Sequence, residues 1–292
     1  MSKGGVAVRY FAAKHERQSE LAARALHDAL QRAGADIGSV DLLLATCAVQ
    51  EQALPSTASA IAAAAGLPAG TPAFDINASC LSFLAALEVA AGLLATGTYK
   101  RIALVAADLP SRGLDWDDPE SSYIFGDGAA CAIVERGDGT AGINAYKFKT
   151  YPKGHGYCQL RAGGTLRNPT VGVSSSDYLF QMDGKAVFKL ASAHLPDFLD
   201  ELTGQAQLVL PDIDVVVPHQ ASHLAMKHLT KRLGLAPERI VDIYESHGNQ
   251  VGASMPTALH EAFITGRAAR GSKMLLLGTA AGLSLGGAVL TL

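Results

Sequence analysis

The sequence predicts an α/β protein made of two similar βαβαβ halves in a pseudo-twofold arrangement. Short continuous apolar runs at residues 40–45 (VDLLLA) and 213–217 (IDVVV) have the pattern of parallel strands covered on both faces. Helical patterns alternate with such runs along the chain, as a parallel sheet requires. The order of features also recurs. The first run leads into Thr46-Cys47 and the second into Pro218-His219, and each is followed by a helix stopped at a Gly-Leu pair, Gly66-Leu67 or Gly234-Leu235. A short strand and a polar turn opening an apolar helix come next, at Cys80 in one half and just after Asn249 in the other. Charged-then-apolar strands follow at 100–106 (KRIALVA) and 273–278 (KMLLLG).

Taken in order, residues 17–33 form an amphipathic helix with Leu21, Ala25, Leu26, Ala29 and Leu30 on one face, Ser19 as its cap and Gly34 as its stop. Residues 40–45 are a strand, 56–65 a helix ended by Gly66 and Pro68, and 73–77 a short strand. The nearly all-apolar helix at 80–95 must be central, since it has no polar face to give to water. Strands follow at 101–107 and 129–134. The segments 108–126 and 137–180 are loop-rich, yet Trp116, Tyr123, Phe125 and Tyr157 mark them as interface loops or a pocket lid rather than linker. Residues 185–203, 221–233 and 251–265 read as helices, and 213–217, 239–243, 273–277 and 286–291 as strands. The halves are placed at 1–180 and 181–292.

Composition narrows the function. Of 292 residues, 49% are hydrophobic and 17% charged, enough to fill a large core and exclude disorder. A formal charge of -3 with no basic run argues against a nucleic-acid partner. No stretch approaches the about 20 apolar residues of a membrane span, and the first residues have no signal-peptide core. Four cysteines without CxxC spacing are too few for a disulfide framework, so a reduced, cytoplasmic protein is expected.

Three residues just beyond predicted strands can carry chemistry: Cys80, His219 and Asn249. Such strand ends are where α/β folds collect their sites. A thiol in a first helical turn meets unpaired amides and the positive end of the helix dipole, which should lower its pKa. The bland alternatives are a buried cysteine, a framework histidine and a capping asparagine. Together the three suit acyl transfer to a thiolate, with imidazole and amide N–H groups stabilising a thioester enolate. Backbone N–H groups of Cys80 and of the glycine-rich residues 278–287 would hold an oxyanion. His219 and His223 are spaced i,i+4, but no third ligand is evident, so no metal is expected. Gly126-Asp127-Gly128 matches no phosphate loop and reads as a tight turn near a dimer face.

In its motifs the chain resembles the β-ketoacyl-acyl-carrier-protein synthase III branch of the thiolase superfamily. Those motifs are a cysteine opening the central helix (Cys80), Pro218-His219-Gln220-Ala221, the turn Gly248-Asn249-Gln250-Val251-Gly252-Ala253-Ser254, the stretch from Ile124 to Ala129, and the loop Gly278 to Gly287. The resemblance implies a thiolase-like fold in five αβαβα layers, a homodimer, and no cofactor. Its triad would be Cys80, His219 and Asn249, with Cys80, Ala281 and Gly282 at the oxyanion. The implied reaction is decarboxylative Claisen condensation, with an acyl thioester on carrier protein or coenzyme A and a malonyl-type thioester as substrates. Lys227, Lys231 and Arg232 would dock the carrier protein; the alternative is an ordinary solvated helix face.

Departures from the family's pattern add further expectations. The chain starts near the end of the segment that opens typical members, so a core strand of the first half should be missing or supplied differently. The residues that grip coenzyme A's adenine have no evident match, leaving Trp116 as a substitute, or a carrier protein as donor. Ala280-Ala281-Gly282-Leu283 replaces a more glycine-rich, aromatic loop, and Ser222 stands where asparagine is usual. Arg161 or Arg167 could meet a carboxylated acyl chain. Two other functions stay open: transfer to an alcohol or amine (or thioester hydrolysis), and a subunit completing a heteromeric partner.

Overall fold

The computed structural model describes residues 4–292. In chain order its elements are α1 (Gln18–Ala33), β1 (Leu42–Ala45), α2 (Thr57–Ala65), β2 (Ala73–Asp75), α3 (Ser82–Ala95), β3 (Arg101–Asp108), α4 (Pro119–Ser122), β4 (Gly128–Glu135) and β5 (Gly142–Thr150). They continue with β6 (Cys158–Gln159), β7 (Gln181–Met182), α5 (Gly184–Gln205), β8 (Val215–Pro218), α6 (His223–Leu233), α7 (Tyr244–His247), α8 (Ser254–Ile264), β9 (Lys273–Ala280) and β10 (Ser284–Thr291).

Two four-stranded sheets carry the fold, in the orders β2-β1-β3-β4 and β5-β10-β9-β8. In the first, β1 lies parallel to both β2 and β3, and β4 runs antiparallel to β3. The second repeats this: β8 is parallel to β9, β10 is antiparallel to β9, and a parallel bridge from Val216 to Ile240 stands where β2 stands in the first. The 239–243 segment is thus reduced to a bridge at Ile240, between the 3-10 turn that ends at Arg239 and α7, which opens at Tyr244.

Alternation along each strand divides its side chains between an inner and an outer apolar layer. Leu42, Leu44, Ile102 and Leu104 face inward, joining α3, α8 and the inner residues Val215, Val217 and Leu276 of the other sheet. Leu43, Ala45, Ala103 and Val105 face outward onto α1 and α2. On the far side Val216, Leu275 and Leu277 meet α5 and α6. The result is five layers, helix-sheet-helix-sheet-helix. α3 sits in the middle with Phe83, Leu84, Ala86 and Ala90 buried, as its lack of a polar face required. Each such large side chain withdrawn from water stabilises the fold by about 1.5–3 kcal/mol before entropy is counted.

Several sequence expectations are corrected. The cap of α1 is Arg17, with the Glu20 carboxylate accepting its N–H; Ser19 lies inside the helix and donates its own N–H to Glu51 (2.7 Å). The buried face of α1 is Ala22, Ala23, Leu26 and Leu30, rotated from the stripe expected through Leu21 and Ala25. Residues 142–150, expected in a loop, form β5, which pairs along β10. A boundary at 180 therefore cuts off a strand that belongs to the second sheet, and sheet membership divides the chain in the 136–141 turn instead. No strand pairs with the outer edge of β4 among the described residues, so β4 is half-exposed where its counterpart β10 is buried. Among the described residues no helix is long and apolar enough to cross a membrane.

β10 approaches α3 so closely that a Cβ on Gly286 would lie 2.8 Å from Leu84 Cδ2 and 2.9 Å from Leu81 Cδ1. Both leucines are fully buried and cannot swing aside. Gly286→Ala is expected to lower the unfolding free energy by about 1–3 kcal/mol through overpacking, measured by urea denaturation.

Candidate active site

Cys80 sits on a sharp elbow between β2 and α3. Ser79 before it has φ +54, a left-handed conformation that is uncommon for any residue but glycine. Ser79 donates its N–H to Asn77 Oδ1 (2.9 Å), while Ser82 Oγ accepts from Ala78 N–H (2.9 Å) and donates to Ser79 O (2.7 Å). The sulfur of Cys80 meets two backbone N–H groups, its own and that of Ala281 in the β9–β10 turn.

His219 follows directly on β8, its backbone N–H bonded to Leu277 O (2.8 Å). Gly278 makes that approach possible, since a Cβ there would lie 2.7 Å from the Cβ of His219. The fully buried Gln220 locks the turn: its amide donates to Pro218 O and Val241 O, and its oxygen accepts from Ile243 N–H. Ser222 caps α6, accepting from Ala225 N–H.

Asn249 is held by the Ile124–Gly128 stretch rather than by a helix. Its N–H donates to Ile124 O (2.7 Å), and its carbonyl accepts from Gly126 N–H (3.1 Å). Gly126 and Gly248 allow this crossing, because a Cβ on either would collide with backbone of the other segment. The Asn249 side chain is oriented as well: Oδ1 accepts from Val251 N–H (2.8 Å), and Nδ2 donates to Ala221 O (3.1 Å), which leaves one amide N–H free of that bond. Asp127 ties the same stretch down by accepting from Ala12 N–H, Ser111 N–H and Ser111 Oγ. This tight turn backs Asn249.

Cys80, His219 and Asn249 line one cavity of about 1080 Å³, together with Cys158 and Ala281. The residues Leu160, Phe180, Phe188 and Leu195 make much of its wall apolar. Burial governs the titration of the reactive groups. The Cys80 thiol is pushed up to about 12 by burial and by the neighbouring Cys158 and Asp108, with the Ala281 and Cys80 N–H groups opposing. The expected lowering is therefore overturned: α3 starts only at Ser82, and desolvation outweighs the amides. Burial also lowers His219 to about 4, and its buried Nδ1 has no hydrogen-bond partner to compensate a charge. The ring is neutral at physiological pH.

Other sequence candidates fall away from this centre. Arg161 pairs with Asp177 (2.7 Å), and Arg167 approaches the same carboxylate (3.9 Å), so both guanidinium groups are already engaged within their own loop. Trp116 packs edge-on against Phe11 and is not part of the cavity wall. Gly282 lies outside the wall, between Ala281 and Leu283, which are in it. Lys227, Lys231 and Arg232 are exposed on α6, whose Leu224, His228 and Leu229 reach the cavity. The sequence did not single out Cys158, Gln220 or Asp127 as supports of the site. An acid set between glycines beside an aromatic was the only available signal for Asp127.

Fold and cavity together define a condensing acyltransferase. Comparison with known proteins agrees. Residues 74–152 match the family model of 3-oxoacyl-[acyl-carrier-protein (ACP)] synthase III, residues 204–292 its C-terminal model, and residues 8–107 the thiolase N-terminal domain. The β-ketoacyl-[acyl-carrier-protein] synthase III of Neisseria meningitidis serogroup B is 35% identical over 99% of this chain and 88% of its own length. Among solved structures, the synthase III of Thermus thermophilus superposes with a TM-score of 0.88 at 32% identity, covering 97% of this chain and 87% of that one. The Aquifex aeolicus enzyme gives 0.87 at 27% identity, with the same two coverages. The chain belongs to the β-ketoacyl-acyl-carrier-protein synthase III family of the thiolase superfamily. Its activity is that family's Claisen condensation.

The depressed histidine has a consequence for stability. Between pH 6.5 and about 4 the unfolded chain binds a proton at His219 that the folded chain refuses, so stability is full above 6.5 and falls as pH drops through this window. Subtracting the unfolding free energies of His219→Asn from those of wild type across pH 4–7 is expected to expose a loss on the order of 3 kcal/mol. Chemical denaturation at fixed pH values measures it.

Proposed function

We propose that Cys80 accepts the acyl group and that His219 and Asn249 stabilise the enolate with which it condenses. What supports this is the convergence of all three side chains on one cavity, with the Ala281 N–H against the Cys80 sulfur. In the first half-reaction the sulfur attacks the thioester carbonyl, the carbon–sulfur bond of the donor breaks, and the thiol proton leaves with the departing thiol. The N–H groups of Cys80 and Ala281 hold the intermediate's oxyanion, as preorganised donors that need no rearrangement when charge develops. A neutral thiol suits this order of events, since its proton is given up only as the leaving group accepts it.

In the second half-reaction a malonyl-type thioester places its carbonyl oxygen between the neutral His219 ring and the Asn249 amide. Breakage of the bond to the carboxylate releases CO2 and leaves the electron pair as an enolate, which those two groups stabilise. The enolate carbon then bonds to the acyl carbon, the carbon–sulfur bond to Cys80 breaks, and the departing sulfur takes up one proton from solvent. A neutral histidine serves this step as a donor without a carboxylate partner, consistent with the burial that lowers its pKa. Intact-protein mass after incubation with acyl thioesters is expected to show an acyl adduct on wild type and none on Cys80→Ala. CO2 release from the malonyl thioester should match product formation one to one, whereas acyl transfer without CO2 release would mark an alcohol, an amine or water as the acceptor.

A carrier protein, which the names of the chain's relatives give as the bearer of the ketoacyl product, is read as a partner that delivers a thioester substrate. Trp116 packs edge-on against Phe11 outside the cavity wall, while Arg112 lines the cavity with one guanidinium nitrogen donating to the carbonyls of Ala13 and Glu16. α6, by contrast, lines the cavity with one face and exposes Lys227, Lys231 and Arg232 on another. An acidic carrier docked there would deliver its thioester directly to Cys80. A homodimer would form through the open edge of β2, where Phe74 is exposed. Lys231→Glu combined with Arg232→Glu is expected to reduce kcat/KM for carrier-bound substrates by about tenfold or more while leaving small thioesters unaffected. Equal loss on both substrates would assign the basic residues to the helix itself.

A further inference from the structure

Asp108 ends β3 at the junction of the two halves, and its side chain is buried. Its Oδ1 accepts the backbone N–H groups of Ala48 (3.1 Å) and Val49 (3.0 Å), and its Oδ2 accepts those of Ala48 (3.2 Å) and Gly252 (3.0 Å). Among the described residues no Lys, Arg or His forms an ion pair with it. Taking a carboxylate out of water without a counter-ion is costly, so these peptide N–H groups alone compensate its charge.

Each end of this clamp leads to the active site. On one side Ala48 O accepts from Asn77 Nδ2 (3.0 Å), and Asn77 Oδ1 in turn accepts from Ser79 N–H (2.9 Å), on the elbow that carries Cys80. On the other side Gly252 follows Val251, a β-branched residue held at φ +54 whose N–H is bonded to Asn249 Oδ1. Such a conformation persists only where the surroundings enforce it. The clamp is tight: a Cβ on Gly252 would lie 2.8 Å from both Asp108 Oδ2 and Thr46 O.

We propose that Asp108 is a positioning residue, whose carboxylate holds the strained Val251 turn, and with it the Asn249 amide, in register with the Cys80 elbow. The inference rests on the role proposed for Asn249. Asp108 is not part of the cavity wall and touches no substrate. The ionisable groups that face it are Asp127 before β4, Cys47 after β1 and Cys80 on the elbow. Both thiols are pushed up to about 12 and remain neutral. Burial raises Asp108 itself to about 7, against the opposing pull of the Val49, Ala48 and Gly252 N–H groups. The carboxylate form makes the clamp. Protonation turns one oxygen into a donor facing N–H donors, so the clamp loosens as pH falls through about 7.

The test is Asp108→Asn, which keeps the shape but replaces one acceptor oxygen with an amide NH2 donor. CO2 release from a malonyl thioester is expected to fall about 100-fold, while the rate of acyl-Cys80 formation stays within about threefold of wild type. Asp108→Asn combined with Asn249→Ala should be no slower than Asn249→Ala alone, because a residue acting through Asn249 has nothing left to position. Additive losses, or undiminished CO2 release in Asp108→Asn, overturn the proposal. If Asn249→Ala itself releases CO2 at the wild-type rate, the role of Asn249 fails and takes this inference with it. Should Asp108→Asn not fold, wild type decides: CO2 release must decline as pH falls through about 7 while Cys80 acylation does not. A flat profile for both steps over pH 6–8 overturns the proposal.

Discussion

The apolar layer shared by the two sheets determines where every reactive group can be. α3 and α8 lie side by side within it, packed against the inward-facing residues of both sheets. Because the strands of each sheet are built in the same order around this layer, the C-terminal ends of β1, β3, β8 and β9 gather along one rim. Polar side chains cannot enter the layer without losing hydrogen bonds, so they collect where the strands stop. Cys80, His219 and the Asn249 turn are such endings, brought together by the packing of residues that take no part in the chemistry.

At this rim the molecule works with neutral groups. A thiol pushed up to about 12 and an imidazole lowered to about 4 are uncharged together over the whole physiological range. On the mechanism proposed above, charge arises only during reaction, when an oxyanion or an enolate forms, and it then meets N–H groups already aimed at it. Such an arrangement stabilises the transition state more than the resting state, which is what accelerates a reaction. Asp108, the buried carboxylate that accepts from the Ala48, Val49 and Gly252 N–H groups, is kept out of the cavity wall.

Much of this was legible in the sequence, for definite reasons. The duplication showed because buried parallel strands must be continuously apolar, and both copies of the motif end in the same kind of helix stop at Gly66 and Gly234. The three candidate residues that line the cavity stood out because each sits where such a run ends. β5 did not, since an edge strand meets water along one side: Lys147 and Lys149 alternate with Tyr146 and Phe148 and pair with Glu201 of α5, so the segment resembles a polar loop. The thiol's titration was misjudged because sequence shows the helix that follows but not the depth of burial. The fate of Arg161 and Arg167 depended on Asp177, whose approach is set by loop folding and leaves no periodic trace.

The division of the site between the halves has a further consequence. Cys80 belongs to the first sheet's half, whereas Ala281, His219 and Asn249 come from the second. On the roles proposed above, neither half holds a working set of groups, so no partly folded form with one half melted could carry an acyl group productively. Turnover thereby serves as a proofreading signal for the chain itself. Any molecule seen to turn over has both halves folded and the layer between them closed.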